Sequence, residues 1–392
     1  MIKILLLIDY SSEFSRKLLR GLVQYSQEHG PWIFYRLPSY YKVLHGKQGV
    51  IEWVKERKPD AIIAQWDLEG SNLLKNLDIP IILQNYKKRS DYFSNLTGDY
   101  IGTGKMAAQF FIEKKFRNFA FYGNKDVVWS KERAQGFMQE IQEVGGNYFY
   151  FESDNRLNEN EWGNNHIKLD EWLTSLPKPV ALFACDDRFA LEVSEICKIN
   201  GINIPDEVSL LGVDNDELIC NLSDPPISSI VLEVEKGGYD VGHLIHRQIR
   251  EKQNIPFNIV INPIKIEERK STDKYNIDNK YILTILRYIE ENLNSDLSIE
   301  KLTGLVPLSR RNLEVKFKKE LGISIYQFIL KYRIEQFAKL LVNTDRLLFD
   351  IALECGFNDN KNISRVFKKI KGLSPAEYRR QNQSKVEQTR KV

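Results

Sequence analysis

The sequence predicts an α/β region of two lobes, each a parallel sheet with helices on both faces, followed by an all-α domain with two helix-turn-helix motifs. Three observations support this prediction. Short apolar runs alternate with amphipathic stretches up to about residue 268, a charged segment then ends the alternation, and one later segment recurs at an offset of fifty residues. Alternating strands and helices are typical of parallel sheets. About 270 residues of this alternation are more than a single sheet requires, so we expect two lobes.

The composition allows two or three domains with apolar cores. The chain has 392 residues, of which 42% are hydrophobic and 11% aromatic. No stretch approaches the roughly 18 consecutive apolar residues of a membrane span, and Met1 leads directly into a strand-like run without the plan of a signal peptide. We therefore expect a cytoplasmic protein with no membrane contact.

The cysteines and histidines give no sign of a metal site. The four cysteines lie far apart in sequence and form no CxxC pair, which argues against zinc and against a disulfide framework. His243 and His246 are three residues apart on a predicted helix, with no third ligand nearby. The expectation is that the protein needs neither a metal nor a cofactor.

The predicted α/β region extends over residues 1–268. Its helices include Phe14–Glu28 and Ile101–Lys115, the second capped by Asp99. The predicted strands are Ile4–Ile8, Trp32–Arg36, Ala61–Ala64, Ile79–Leu83, Asn118–Tyr122, Tyr148–Phe151, Val180–Ala184, Val208–Val213, Ile230–Val234 and Ile259–Ile264.

A charged, aperiodic stretch from Glu267 to Lys274 separates the two regions. Such a stretch is typical of an exposed linker, which we place at residues 269–279. The helical domain then covers residues 280–380, and residues 381–392 form a polar tail. From Ser271 to the end there are 23 Lys and Arg against 15 Asp and Glu, so the basic end is the candidate for nucleic-acid binding.

The fifty-residue repeat places two similar helices in the basic domain. Each copy follows a short predicted helix, Ser298–Leu305 or Leu347–Glu354, and a turn; this is the plan of a DNA-binding helix-turn-helix. The matched pairs are Asn312 with Asn362, Leu313 with Ile363, Phe317 with Phe367, Lys318-Lys319 with Lys368-Lys369, Gly322 with Gly372, Ser324 with Ser374 and Phe328 with Tyr378.

Each repeated helix has an apolar face and a polar, mostly basic face. Leu313 and Phe317 lie on the predicted core face. Residues near the helix N-terminus suit base edges, and lysines one or two turns later suit phosphates. A solvated basic face without function is the alternative. The candidate DNA-binding residues are Ser309, Arg310, Arg311, Glu314, Val315 and Lys318 in the first copy and Asn360, Lys361, Ser364, Arg365 and Lys368 in the second.

These motifs resemble the AraC/XylS-type DNA-binding domain, in which a long helix, here Ile325–Leu341, joins two helix-turn-helix units. The resemblance covers about residues 282–379 and includes Gly356-Phe357, Ser364–Lys368 and Ser374-Pro375. Departures are Thr303, Lys361 and Ile363; Lys361 would alter which base or phosphate is contacted. The resemblance implies sequence-specific binding to double-stranded DNA.

The first region resembles the periplasmic-binding-protein-like sensor of LacI-type repressors, without their N-terminal DNA-binding helices. The order of sensor and DNA-binding domain resembles that of xylose-operon regulators. This resemblance implies a transcription activator that responds to a pentose such as D-xylose. Arabinose or a hexose as effector, and repression instead of activation, remain open alternatives.

Candidate sugar-binding residues should follow strands, since ligands of such sheets bind beyond the carboxyl ends of the strands. Carboxylates and Arg hydrogen-bond sugar hydroxyls, and Trp covers the ring face. The candidates are Arg133, Asp186, Asp214, Asp9, Asn85, Trp66 and Trp129. Arg133 lies in the S-x-x-R-x-x-G-F pattern of the sensor family. Helix capping is the alternative for Asp186 and especially for Asp187, and core packing is the alternative for each Trp.

The expected mechanism is non-enzymatic. We expect sugar to close the lobes and to reposition the DNA-binding domains of a homodimer on repeated half-sites of the DNA. Whether the protein also contacts RNA polymerase remains open. The rival hypothesis is glycoside hydrolysis by Asp186 and Asp187. Adjacent residues that leave a strand point to different sides, however, and cannot by themselves flank a glycosidic bond.

Overall fold

The computed structural model describes residues 1–37, 39–66, 72, 74–84, 88–125, 127–153, 159–277, 279–344, 346–357 and 360–380. The chain divides into two compact units, Met1–Asn276 and Ile277–Val392, called here the α/β unit and the helical unit. Among the described residues, no helix is both long and apolar enough to cross a membrane.

The α/β unit contains twelve strands among its described residues. They are β1 Ile2–Leu7, β2 Trp32–Arg36, β3 Ala61–Ala64, β4 Ile81–Leu83, β5 Ser94–Gly98, β6 Asn118–Asn124, β7 Asn147–Ser153, β8 Val180–Ala184, β9 Val208–Val213, β10 Ser228–Leu232, β11 Asn258–Ile261 and β12 Pro263–Glu267.

These strands form two six-stranded sheets, one in each lobe. The first lobe has the order β11-β5-β4-β3-β1-β2, and the second lobe has the order β12-β10-β9-β8-β6-β7. All neighbours are parallel except β10 and β12. The predicted fold class of two parallel-sheet lobes followed by a helical domain is therefore confirmed.

Among the described residues of the α/β unit, eight α-helices connect the strands. They are α1 Glu13–His29, α2 Ser39–Arg57 with a kink at Gly46, α3 Tyr100–Glu113, α4 Val128–Glu143, α5 Glu159–Ser175, α6 Asp187–Ile199, α7 Glu217–Leu222 and α8 Val234–Glu251. Asp99 caps α3 as predicted, since its carboxylate accepts the N–H of Gly102 at 2.8 Å.

A largely apolar sequence explains the central strands. Every residue of β8 and β9 is buried, as expected for strands covered by helices on both faces. Strand β5 was not predicted, because its sequence, Ser-Asn-Leu-Thr-Gly, is mostly polar. Its polar groups are buried in hydrogen bonds; Asn95 Nδ2, for example, donates to Asn258 Oδ1 and to the carbonyl of Ser90, both at 2.8 Å.

Two predictions about the end of this unit are corrected. The single strand predicted at Ile259–Ile264 is divided at Asn262 into β11 and β12, which belong to different sheets. The segment predicted as an exposed linker is partly buried: Ser271 and Thr272 have no exposed surface. The Ser271 hydroxyl donates to the Leu210 carbonyl, and the Thr272 hydroxyl is hydrogen-bonded to the Ser228 hydroxyl, both at 2.6 Å. These hydrogen bonds allow two small polar side chains to be buried at the edge of the core.

The helical unit repeats its architecture at the fifty-residue offset. Its helices are α9 Lys280–Glu291, α10 Ile299–Thr303, α11 Arg310–Leu321, α12 Ile325–Asn343, α13 Leu348–Glu354 and α14 Asn360–Lys371. Helix α11 ends at Gly322 with φ 78°, and the equivalent Gly372 also has φ 78°. This left-handed conformation favours glycine and ends a helix.

The aromatic and capping positions of the repeat also match in space. Phe317 packs edge-on against Phe328 at 5.6 Å between ring centroids, and Phe367 packs edge-on against Tyr378 at 5.3 Å. Ser324 caps α12, and Ser374 accepts the N–H of Glu377 in the same way. Each repeat is therefore a small core of its own built on one plan.

Candidate ligand cleft and DNA-binding helices

The carboxyl ends of strands from both lobes carry the candidate cleft residues. Asp9 follows β1 and Gln65 follows β3 in the first lobe, while Asp186 follows β8 and Asp214 follows β9 in the second. Arg188 pairs with Asp186, Arg133 Nη2 lies 3.9 Å from Asp214 Oδ1, and Lys17 of the first lobe donates to the carbonyl of Asp214 at 2.8 Å. Of the predicted residues, the structure therefore brings Arg133 to Asp214, while Asp186 and Asp9 lie at the ends of β8 and β1.

Asp214 begins a turn with unusual backbone geometry, formed by Asp214, Asn215 and Asp216 and called here the ligand turn. Asp214 has φ 101° and Asn215 has φ 49°, both in the region that favours glycine. Burial raises the pKa of Asp214 to about 6, although Arg133 opposes the shift. Backbone strain and a displaced pKa in one residue are features of functional sites.

The family motif around Arg133 positions that side chain. Ser130 accepts the N–H of Asn124 at 2.8 Å and ties the start of α4 to the end of β6. A Cβ on Gly136 would lie 2.1 Å from the carbonyl oxygen of Ile101, so glycine lets α4 pack directly on α3. Phe137 fills the core with no exposed surface. The motif thereby fixes the Arg133 guanidinium under the cleft.

Arg133 itself is 4% exposed and incompletely paired. Its Nη1 donates to the carbonyl of Cys185 at 2.5 Å, and its Nη2 lies 3.9 Å from Asp214 Oδ1. Nε is buried without a hydrogen-bond partner among the described residues. Trp129 lies 5.2 Å from the guanidinium, ring centroid to Cζ, so these two predicted residues are adjacent. A buried donor without a partner suits a ligand acceptor.

The capping alternative holds for Asp186, the sugar-binding candidate, and not for Asp187, for which it was favoured. Asp186 is the N-cap of α6 and accepts the N–H groups of Arg188 and Phe189 at 2.9 and 3.0 Å. Asp187 points inward and accepts hydrogen bonds from the Ser229 hydroxyl at 2.6 Å and from the N–H of Asp216 at 2.8 Å. Burial raises the pKa of Asp187 well above its usual range, with repulsion from Asp214 adding to the shift.

Two further cleft residues were missed in the sequence. Arg188 is exposed and pairs with Asp186 Oδ2 at 3.0 Å. The Tyr10 hydroxyl is buried with no partner among the described residues, and burial raises its pKa to about 12. Tyr10 directly follows Asp9, so its position after β1 could have identified it as a candidate. Arg188 lies in the first turn of a helix, and its sequence position gave no sign of a role in the site.

One first-lobe candidate, Trp66, is not supported by this geometry. Trp66 is 3% exposed and packs in the apolar core of the first lobe with Val50, Val54 and Leu74, which corrects its assignment to the sugar face. Asn85 lies outside the described residues. Asp9 is exposed, and hydrogen bonds from the N–H and hydroxyl of Ser11 lower its pKa, so it is a carboxylate at neutral pH.

The first recognition helix, α11, presents the predicted surface. Leu313 and Phe317 are fully buried, as predicted, while Arg311, Lys318 and Val315 are exposed, Val315 by 60%. Ser309 caps the helix by accepting the N–H of Asn312. Arg310 pairs with Glu314 at 3.2 Å and with Glu300 at 3.1 Å. Arg310 is therefore held by two carboxylates, whereas Arg311 is exposed beside it.

The second recognition helix, α14, repeats this arrangement. Ile363 and Phe367 are buried at the positions of Leu313 and Phe317, and Ser364, Arg365 and Lys368 are exposed. Asn360 and Lys361 begin the helix, but their side chains lie outside what the structure describes. Lys371 is anchored to Glu335 of α12 at 2.6 Å.

The long helix α12 ties the two motifs together through Arg333. Its guanidinium donates to the carbonyls of Leu293 and Ser295 at 3.1 and 3.2 Å. A Cβ on Gly356 would lie 2.6 Å from Arg333 Nη2, so glycine in the second motif admits this side chain.

Among the described residues, no group of three or more His, Cys, Asp or Glu could hold a metal ion. His246 Nδ1 instead lies 3.0 Å from the hydroxyl of Tyr25, which packs α8 against α1.

Two family models match the chain in the order of its units. Residues 108–272 match a periplasmic binding protein-like domain, and residues 302–381 match a helix-turn-helix domain.

Curated relatives match nearly end to end. The xylose operon regulatory protein of Haemophilus influenzae is 29% identical over 387 residues, covering 96% of this chain and 98% of the relative. The protein of the same name from Escherichia coli is 26% identical and covers 96% of each chain.

Solved structures agree on the fold. The structure of a xylose-binding transcription activator matches 97% of this chain and 98% of its own, with a TM-score of 0.60 at 24% identity. A LacI-type protein from Alkaliphilus metalliredigens in complex with D-xylulofuranose matches 69% of this chain and 98% of its own, with a TM-score of 0.55 at 19% identity. The chain thus carries a periplasmic binding protein-like domain followed by a helix-turn-helix domain, and it is similar to the xylose operon regulatory proteins along nearly its whole length.

Proposed function

We propose that this protein is a transcription activator that binds a pentose, D-xylose in the first place, between the lobes of its α/β unit and binds DNA through α11 and α14. The observation that carries the sugar assignment is the pairing of the buried Arg133 with Asp214 beyond the end of β9, where Nη2 lies 3.9 Å from Oδ1, next to the Arg188–Asp186 pair at the end of β8. The relatives named for the xylose operon favour xylose among the pentoses.

The chemistry of the cleft suits a sugar with neighbouring hydroxyls. A carboxylate accepts two hydroxyl hydrogens, and a guanidinium donates to ring and hydroxyl oxygens. Arg133 has a free Nε donor among the described groups, and Asp214 keeps a quarter of its side chain exposed. Trp129 lies beside Arg133 and offers an apolar ring to one sugar face.

The proposed DNA contacts follow from exposure and charge. Arg311 lies in the first turn of α11, where side chains approach base edges, and Arg365 lies about one turn further into α14. Lys318 and Lys368 lie further along their helices, towards phosphates. Ser309, Arg310, Glu314, Val315 and Ser364 complete the surface. Action on chromosomal DNA places the protein in the cytoplasm.

The regulatory mechanism completes the proposal. Sugar binding closes the lobes of each subunit of a homodimer and changes the spacing of the DNA-binding domains on repeated half-sites. Activation then follows through a contact with RNA polymerase at the promoter.

Calorimetric titration with D-xylose, L-arabinose, D-ribose and D-glucose tests the sugar assignment. We expect stoichiometric binding that is tightest for D-xylose and that Asp214→Ala abolishes. Asp224→Ala is the matched control, because its carboxylate side chain is 85% exposed. Turnover of a glycoside, or binding unchanged in Asp214→Ala, would contradict the proposal.

A further inference from the structure

The ligand turn is connected to three parts of the α/β unit at once. Its Asp214 belongs to the proposed sugar site. On one side, α1 of the first lobe holds the turn: Lys17 Nζ donates to the carbonyl of Asp214 at 2.8 Å and to that of Asn215 at 3.2 Å. Arg16 Nη2 lies 3.3 Å from Asp216 Oδ2. The turn therefore contacts the first lobe directly.

On the other side, the turn contacts the segment through which the chain leaves the α/β unit. This exit segment consists of residues 269–276 and directly precedes the helical unit. Arg269 Nη2 donates to Asn215 Oδ1 at 2.8 Å, and its Nη1 donates to the carbonyl of Ile227 at 2.9 Å. One side chain thus joins the ligand turn to the exit segment.

The rest of the exit segment is anchored in the core of the second lobe. The N–H of Arg269 donates to Ser228 Oγ at 2.7 Å, and the N–H of Ser228 donates to Ser271 Oγ at 2.8 Å. Ser229, the next residue of β10, accepts the N–H of Asn215 at 3.0 Å and donates to Asp187 at 2.6 Å. The exit segment is therefore bonded to Ser228 and the ligand turn to Ser229, and these are adjacent residues of β10.

The backbone of the turn is strained at two consecutive residues. Asp214 and Asn215 both have positive φ, a conformation that non-glycine residues keep only when surrounding contacts enforce it. A ligand that bonds Asp214 changes the balance of those contacts. An allosteric response requires such an element, whose equilibrium the ligand biases.

We propose that the Arg269–Asn215 hydrogen bond couples sugar occupancy of the ligand turn to the exit segment and so to DNA binding. This inference rests on the proposed function and names Arg269 as a positioning residue that touches neither sugar nor DNA. Sugar binding at Asp214 changes the position of Asn215, and Arg269 transmits that change to the first residues of the exit segment.

Two substitutions remove the bond from opposite sides. Arg269→Met keeps the length of the side chain and removes its donors. Asn215→Gly removes the acceptor at a position where φ 49° suits glycine, so it adds no backbone strain. Asn215→Asp retains an acceptor for the guanidinium and serves as the conservative variant. Lys265→Met is the matched control, because Lys265 lies on neighbouring β12 and pairs with Glu267 at 2.9 Å, away from the turn.

For each full-length variant, two quantities are measured: the dissociation constant for D-xylose, by calorimetry, and the ratio of operator affinities with and without D-xylose, by fluorescence anisotropy. The operator is a duplex selected from random DNA by the wild-type protein. Allosteric ligands typically change affinity about 5- to 150-fold, and we expect a wild-type ratio in that range. Arg269→Met and Asn215→Gly should bind D-xylose within about threefold of wild type, but their ratio should fall below about 2. Asn215→Asp and Lys265→Met should respond like wild type.

A wild-type ratio in both Arg269→Met and Asn215→Gly would overturn the coupling while leaving the proposed function intact. A purely structural role for the bond would lower the melting temperature and sugar affinity together, and that result would also overturn the coupling. If one of these two variants does not fold, the other variant alone tests the coupling. A wild-type protein that binds none of the four sugars would overturn the proposed function, and the coupling with it.

Discussion

Lowering the pH from 7.5 to 5 should weaken sugar binding about tenfold through Asp214. Burial raises the pKa of this carboxyl from 3.8 to about 6. Sugar hydroxyls donate hydrogen bonds to the ionised carboxylate, so only the charged form binds well. At pH 7.5 nearly all of Asp214 is charged, and at pH 5 only about a tenth of it is, which gives the tenfold loss.

The same pKa predicts an opposite effect on the stability of the unliganded protein. A carboxyl whose pKa is raised in the folded state contributes stability below pH 3.8 and loses it as the pH rises through about 6. The full difference corresponds to about 3 kcal/mol, of which about 2 kcal/mol falls between pH 4.5 and 7.5. Both free energies are upper values, because solvent screens the quarter of the Asp214 side chain that is exposed.

Asp214→Asn tests both effects, since an amide does not titrate. As the pH rises from 4.5 to 7.5, we expect the free energy of unfolding of the variant to increase by up to about 2 kcal/mol relative to that of wild type, measured by urea unfolding. Its weak residual sugar binding should be independent of pH by calorimetry. A wild-type sugar affinity that is constant from pH 5 to 7.5, or equal pH profiles of stability in the two proteins, would refute this reasoning.

Three further predictions concern the helices. Arg311→Ala or Arg365→Ala should weaken operator binding by about 1 to 3 kcal/mol in anisotropy titrations if the residue contacts a base, and unchanged affinity would remove it from the interface. Phe367→Ala should destabilise the helical unit by about 3 to 5 kcal/mol in urea unfolding, because its ring is fully buried; a loss below 1 kcal/mol would be inconsistent with that burial. Asp186→Ala should cost about 0.5 to 2 kcal/mol as a lost helix cap, and a neutral result would contradict the capping role.

Much of the fold was predictable because burial leaves a strong pattern in the sequence. Strand β8 is a continuous apolar run and β9 is apolar except for Ser209 and Gly212, and the predicted bounds of both strands agree with the structure. The repeat was equally clear, since α11 and α14 begin and end fifty residues apart. Strand β5 escaped prediction because a polar strand is buried through hydrogen bonds, whose distant partner Asn258 has no signature in local sequence.

The candidate site was predictable by position but not by role. Strand ends located Asp9 and Asp214, whereas the choice between Asp186 and Asp187 as helix cap depends on backbone geometry at the strand end. The part that Arg269 plays was hidden for the same reason. In sequence it belongs to a charged, linker-like stretch, and only the packing of the exit segment brings it to Asn215.

The central claim is that a sugar bound at Asp214 controls binding to DNA, and one titration tests it most directly. Operator binding by the full-length wild-type protein and by Asp214→Ala is measured by anisotropy as D-xylose is added. The account predicts a saturable change in operator affinity for wild type, and an unresponsive Asp214→Ala protein whose affinity without sugar is near normal. A wild-type affinity that D-xylose does not change, or an equal response in both proteins, would contradict it.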